Sequence, residues 1–291
     1  MYNKLSLLLL AMILFACSET KTAEEETASM EVEEPKMPSF EKLWATDTIF
    51  KVPESALYDA SSEIIYVSNV NQNPWQKDEN GFISKMNKNG QEIEVKWVGD
   101  LSAPKGMGIH NGTLYVTDID ELVAINIADA SIAKKYPVEG AEKLNDIAIA
   151  ADGTVFFTDS GTGKVHTFKD GLVELWTEGL EGPNGVFVEA DRILVAAGDG
   201  TFRAYDINTK EEQLLGEGVS HGDGIVKTAA GDYVVSDWNG EVFLVQDEKV
   251  SSIFSSKEDG LQTADIGMIE GEDIVLVPNF FGNQVVAYQL K

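Results

Sequence analysis

In EGPNGVFV, Glu181 to Val188, Asn184 sits in a Pro-Asn-Gly turn just ahead of an apolar strand. Asn145 stands 39 residues earlier, in KLNDIAIA (Lys143 to Ala150). Asp223 stands 39 residues later, in SHGDGIVK (Ser220 to Lys227). A polar residue that recurs at a fixed interval before an apolar strand marks a structural repeat.

Each unit adds a second strand rich in Val, Tyr and Phe that ends on Ser, Thr or Pro followed by Asp or Asn. These strands end at Asn69, Asp118, Asp159, Asp237 and Asn279. The fourth unit, DRILVAAG, breaks this polar ending. Aligning the units gives six equivalent starts: Glu54, Lys105, Asn145, Asn184, Asp223 and Asp265, spaced by 51, 40, 39, 39 and 42 residues. Six four-stranded units of about forty residues predict an all-β six-bladed propeller over residues 39–291. A pair of β-sandwiches is the competing architecture, but it gives no reason for one polar strand position to repeat. The last unit stops after a third strand at Leu290. The first segment, FEKLWATD (Phe40 to Asp47), resembles a fourth strand, with Leu43-Trp44 mirroring Leu175-Trp176. The N-terminal strand is therefore expected to complete the last blade and remove two open sheet edges. No helix is expected.

The chain has 291 residues and a net charge of −27. Such an acidic balance argues against nucleic acid and against adhesion to anionic lipid, and suits a cation. An apolar run from Leu5 to Phe15, then Ala16-Cys17, is too short to span a bilayer and fits a signal peptide, residues 1–16. Its end, Leu14-Phe15-Ala16-Cys17, resembles the lipobox of bacterial lipoproteins, with Phe15 where a small residue is usual; an ordinary cleaved signal is the alternative. Cys17 is then the lipidated residue, and the Glu-rich residues 17–38 form an acidic disordered tether to the cell envelope. As the single cysteine, Cys17 leaves no disulfide, thiol nucleophile or thiolate metal site for the rest of the chain.

In a propeller the innermost strands line the central channel, so the six starts form a ring at one mouth. The ring carries three carboxylates, two amides and one ammonium. Their oxygens suit a hard cation, calcium first and magnesium or manganese next, and the absence of His and Cys from the ring argues against zinc. A set of polar strand caps around a hydrated channel remains the plainer reading.

The segments PESALYDASSEIIYVSN (53–69), LNDIAIAADGTVFFTD (144–159), GPNGVFVEADRILVA (182–196) and HGDGIVKTAAGDYVVSD (221–237) resemble, in order, blades of the senescence marker protein, gluconolactonase and luciferin-regenerating enzyme family. The likeness covers about residues 40–291. That family is similar in fold to paraoxonases, and its members are typically metal-dependent lactone or ester hydrolases. The resemblance implies metal ligation by Glu54, Asn184 and Asp223, and substrate contact by Asn145. Lys143 falls where the family often has Arg, and Lys lacks the bidentate fork. The Glu-Ser-Pro of many members reads Glu54-Ser55-Ala56.

The expected chemistry is polarisation of a lactone carbonyl by the cation and attack by water. Asp223, Asp265 or His221 is the candidate base, although a plain surface-loop residue is the first reading of His221. Lys105 is expected either to pair with a ring carboxylate or to hold a substrate. The insertion VNQNPWQKDENG (70–81) should overhang the site, with Trp75 as a lid contact or as packing on the next blade. The expected partner is a small-molecule substrate, with no nucleic acid and a membrane link through the lipid alone, on a monomer. A lipid-anchored propeller that binds a ligand or protein without catalysis is the alternative function.

Overall fold

A computed structural model describes residues 38–291. The expected signal segment, Cys17 and nearly all of the tether lie outside the described residues. Six antiparallel sheets of four strands form the propeller. In five of them the four strands are consecutive. In the sixth, Phe40–Ala45 pairs with Gln284–Leu290 and supplies the outer strand. Leu43 and Leu175 are both exposed while Trp44 and Trp176 turn inward, so the sequence likeness of the two segments is a likeness of environment. The helical content among described residues is one 3-10 turn, Lys257–Asp259.

The inner strands of blades 1 to 6 are Pro53–Asp59, Pro104–His110, Leu144–Ile149, Pro183–Val188, Gly222–Lys227 and Gly267–Ile269. In blades 1 to 5 the ring residue is the second of its strand. Blade 6 places Asp265 just before its short strand, where it bridges Ser55. In blades 1 to 5 the register slips directly after the first residue. Such bulges take the ring residue and its successor out of the ladder and re-aim their side chains. The strands then approach so closely that a Cβ at Gly185 would lie 1.7 Å from the Asp223 carbonyl oxygen, and one at Gly224 would lie 2.2 Å from the Ile266 nitrogen. Glycine there is a steric requirement of ring closure.

The recurrent polar endings of the second strands have a physical cause. Asp118 accepts hydrogen bonds from the Ser102 and Ala103 amides at 2.8 and 2.7 Å. Asp159 accepts from the Lys143 amide at 3.0 Å, and Asp237 from the His221 amide at 3.1 Å. Each carboxylate thus pins the loop entering its blade's own inner strand. The preceding hydroxyl reaches the next blade: Thr117 donates to the Asn145 carbonyl, and Thr158 to the Asn184 carbonyl at 2.8 Å. Apolar side chains fill the seams between neighbouring blades, as where Phe202 of blade 4 packs beside Tyr233 and Phe243 of blade 5. Truncating a fully buried Phe such as Phe202 typically costs about 3–5 kcal/mol.

Candidate metal centre

The ring positions converge at one mouth of the channel. One oxygen from each of Glu54, Asp146 and Asp223 lies within 4.8 Å of the others, and all three residues are buried. Asn184 Nδ2 donates to Asp223 Oδ1 at 3.0 Å. Four side-chain oxygens here are buried without a hydrogen-bond partner: Glu54 Oε2, Asn145 Oδ1, Asp146 Oδ1 and Asn184 Oδ1. Buried acceptors are normally satisfied, and each orphan costs about 1–3 kcal/mol. Clustered oxygen acceptors with no donor fit a hard divalent cation.

The electrostatics point the same way. Burial raises the Glu54 carboxyl to about 8, the Lys105 ammonium opposes the shift, and Asp265 adds to it. Asp146 and Asp223 are pushed well above the carboxylate range by burial and then by each other's neighbours, Glu54 and Asp265 among them. Burial raises Asp265 to about 7 against a hydrogen bond from Ser55. Lys105 is lowered by burial, with Glu54 and Asp223 pulling it back. One ammonium faces four carboxyl groups, more than it can hold ionised together, and a bound cation would favour their ionised form.

The structure brings Glu54, Asn184 and Asp223 together, with Asn145 and Asp265 at neighbouring starts. It adds Asp146, which the sequence reading passed over. Below the ring a cavity of about 450 Å³ follows the channel, and Asp146, Asp265 and Ser55 line it beside apolar residues such as Met107, Val186 and Ile225.

Lys105 is 2% exposed, so its charge faces the carboxylates rather than solvent. The 70–80 loop encloses it: Lys105 Nζ donates to the Pro74 carbonyl at 3.0 Å and lies 4.4 Å from the Trp75 ring centroid. The Lys143 Nζ lies 5.5 Å from the same ring. Trp75 therefore covers blade 2 and packs on the next blade at once. Asn71 Nδ2 closes this loop on the Asn80 carbonyl at 2.9 Å. Val52 and Ile119 hold φ of 57° and 61°, a costly region for β-branched residues, and both belong to an apolar cap with Val70, Ala103, Ala264 and Phe280.

His221 is exposed at the mouth, its Nδ1 2.7 Å from Asn239 Nδ2 and 3.3 Å from Ser220 Oγ. His166 is buried against Phe157 and plays no part in the ring.

No protein-family model matches this sequence, and no curated protein matches it. Solved structures do match the fold. A gluconolactonase from Xanthomonas campestris superposes with a TM-score of 0.66 at 13% identity, over 84% of this chain and 88% of that one. A virginiamycin B lyase from Staphylococcus aureus, solved with quinupristin, gives 0.61 at 12% identity, over 88% and 99%. A chain of a nidogen–laminin complex gives 0.60 at 16% identity, over 72% and 82%. The chain thus has the six-bladed propeller fold found in gluconolactonases, a fold that also serves a lyase and a protein complex.

Proposed function

We propose that this protein is a hydrolase of a lactone or ester, acting with a divalent cation, calcium first, held by Glu54, Asp146, Asn184 and Asp223. The observation that carries this reading is the set of buried oxygens without donors, Glu54 Oε2, Asp146 Oδ1 and Asn184 Oδ1, beside the Asp223 carboxylate. A divalent cation in that cradle supplies Lewis-acid polarisation of the substrate carbonyl.

The chain's own residues do the rest. Asn145 Nδ2 is held by Ser160 Oγ at 3.2 Å, which leaves its amide oxygen free to accept from a substrate hydroxyl. The Trp75 loop keeps water from the blade 2 side of the site. Asp265, at the neighbouring ring start beside Ser55, is the carboxylate placed to accept the proton of an attacking water. His221 stands further out, exposed at the mouth beside Asn239. Envelope attachment through a lipidated Cys17 is part of the proposal, motivated by Leu14-Phe15-Ala16-Cys17. Cys17→Ser should move the protein from the membrane to the soluble fraction.

The deciding experiment combines metal analysis of the purified protein with a lactone and aryl-ester panel. Activity should fall about 100-fold or more on EDTA treatment and in Asp223→Ala. Turnover that survives both treatments ends the cation-dependent mechanism.

A further inference from the structure

Above the ring of starts the repeat builds a second tier of paired residues. In four blades the residue two before the start accepts, through its carbonyl, the amide of the residue just after the second strand. The pairs are Val52 with Val70 at 3.1 Å, Lys143 with Ser160 at 2.9 Å, Gly182 with Gly198 at 2.9 Å, and His221 with Trp238 at 3.0 Å. Blades 6, 1 and 2 are closed at this level by the apolar cap of Val52, Val70, Ala103, Ile119, Ala264 and Phe280. Blade 4 carries no side chain there.

Only one of its two glycines is dictated by the backbone. Gly182 holds φ of 59°. Gly198 has no positive φ, and a Cβ on it would meet nothing nearer than the Gly182 oxygen at 3.4 Å. The chain can carry a side chain at 198 and does not. The gap lies over Asn184, which is only half-buried where Glu54, Lys105, Asn145 and Asp223 are buried. On one flank stand Ser160 and Lys143, and Lys143 forms no ion pair among the described residues. Asp199, next in the loop, is already paired with Arg203 at 2.9 Å. On the other flank stands the His221–Trp238 pair of blade 5, whose indole continues into an aromatic wall toward blade 6. Trp238 is 36% exposed and Phe281 57% exposed, with ring centroids 6.3 Å apart and Phe280 buried against both. Adjoining exposed aromatics at the lip of a polar site mark a surface that takes an apolar group.

We propose that the Gly182–Gly198 gap is the lane through which substrate reaches the acidic cluster, and that this lane selects an uncharged amphipathic substrate. Its apolar group, aromatic or alkyl, lies on Trp238. Its hydrogen-bond acceptors face the Lys143 ammonium, the Ser160 hydroxyl being already donated to the Pro183 carbonyl. The net charge of −27 disfavours an anionic substrate. This inference rests on the hydrolase reading for the identity of the reacting group, a lactone or ester.

The test uses γ-lactams, which keep the lactone's shape and resist hydrolysis. A phenyl-substituted γ-lactam and the unsubstituted parent are titrated into the calcium-loaded protein by calorimetry. The phenyl compound should bind about tenfold or more tighter, the worth of burying an apolar group. Gly198→Leu should erase that preference, as should Trp238→Ala, while calcium affinity stays within about twofold in both, since neither touches the carboxylates. Gly198→Ala is the fallback should the leucine variant not fold, with a partial loss expected. A phenyl compound that binds no better than its parent, or a preference that persists in Gly198→Leu, overturns the lane even if cation-dependent hydrolysis is found. A preference that follows Gly198 and Trp238 in a protein that hydrolyses no lactone or ester leaves the lane standing and removes the hydrolase.

Discussion

Asn184 donates through Nδ2 to Asp223 Oδ1 at 3.0 Å, and the same bond leaves Asn184 Oδ1 buried with no donor. Two ring positions 39 residues apart are thereby locked into one acceptor surface. The amide orientation matters, because only the oxygen can serve a cation while the nitrogen steadies the neighbouring carboxylate.

Calcium binding should therefore stabilise the fold measurably. At about 100 times its dissociation constant, calcium adds about 2.7 kcal/mol, or roughly 5–10 °C in the midpoint of a domain this size. Asp223→Asn should abolish the calcium-dependent rise in a thermal melt while the metal-free variant remains folded. An equal rise in the variant would remove Asp223 from the site.

Stability without metal should fall as pH rises. Glu54 is raised from 4.5 to about 8 in the fold, so the folded state binds the proton more tightly than the unfolded chain. The stabilisation from its proton is full below 4.5 and is lost as pH climbs through about 8. The loss runs at up to about 1.4 kcal/mol per pH unit for each such group. Asp146 and Asp223, raised in the same sense, add to it. Melts in EDTA from pH 5 upward should show a declining midpoint, and the increment due to calcium should grow over the same range as the carboxylates ionise. A flat EDTA profile would contradict the raised carboxyls.

Lys105 is a buried cation set against the same cluster that would hold a divalent one. Replacing it by an apolar chain of similar length, Lys105→Met, removes a like charge from the site. Calcium should bind about tenfold tighter, the scale of one charge pair at an intermediate dielectric. The metal-free variant should melt lower than the parent, since Glu54 loses its compensating ammonium. Calorimetric titration decides between this and a lysine that acts on substrate, for which calcium affinity would not move.

What could be read from the chain followed its periodicity. The six starts, the propeller and the strand exchange at Phe40–Ala45 all rest on local pattern repeated in register. Asp146 escaped because neighbours along a strand ordinarily face opposite ways, and the bulge between Leu144 and Ile147 cancels that rule. One signal was present: the residue after the start is Gly106, Gly185 or Gly224 in three blades, and a carboxylate at that position stands out. The enclosure of Lys105 depends on Pro74 and Trp75, about thirty residues away in a loop without periodicity, so no spacing could reveal it.

The hydroxyls that end the second strands should matter to the metal through the backbone. Thr158 is fully buried, donates to the Asn184 carbonyl at 2.8 Å and accepts from the Asp146 amide at 3.0 Å. It thus holds two proposed ligands of adjacent blades at once. Thr158→Val keeps the volume and removes both bonds, leaving a buried carbonyl and a buried amide unpaired at about 1–3 kcal/mol each. The melting midpoint should drop by roughly 5–20 °C, and calcium affinity should fall about 10- to 100-fold as the two ligands lose their support. Thr167 of the same blade makes only a 3.5 Å contact to the Glu174 carbonyl at the surface, so Thr167→Val should change stability by less than about 0.5 kcal/mol. If Thr158→Val melts early yet binds calcium as tightly as the parent, the hydroxyl serves the fold alone, and the ligands are positioned by the bulges.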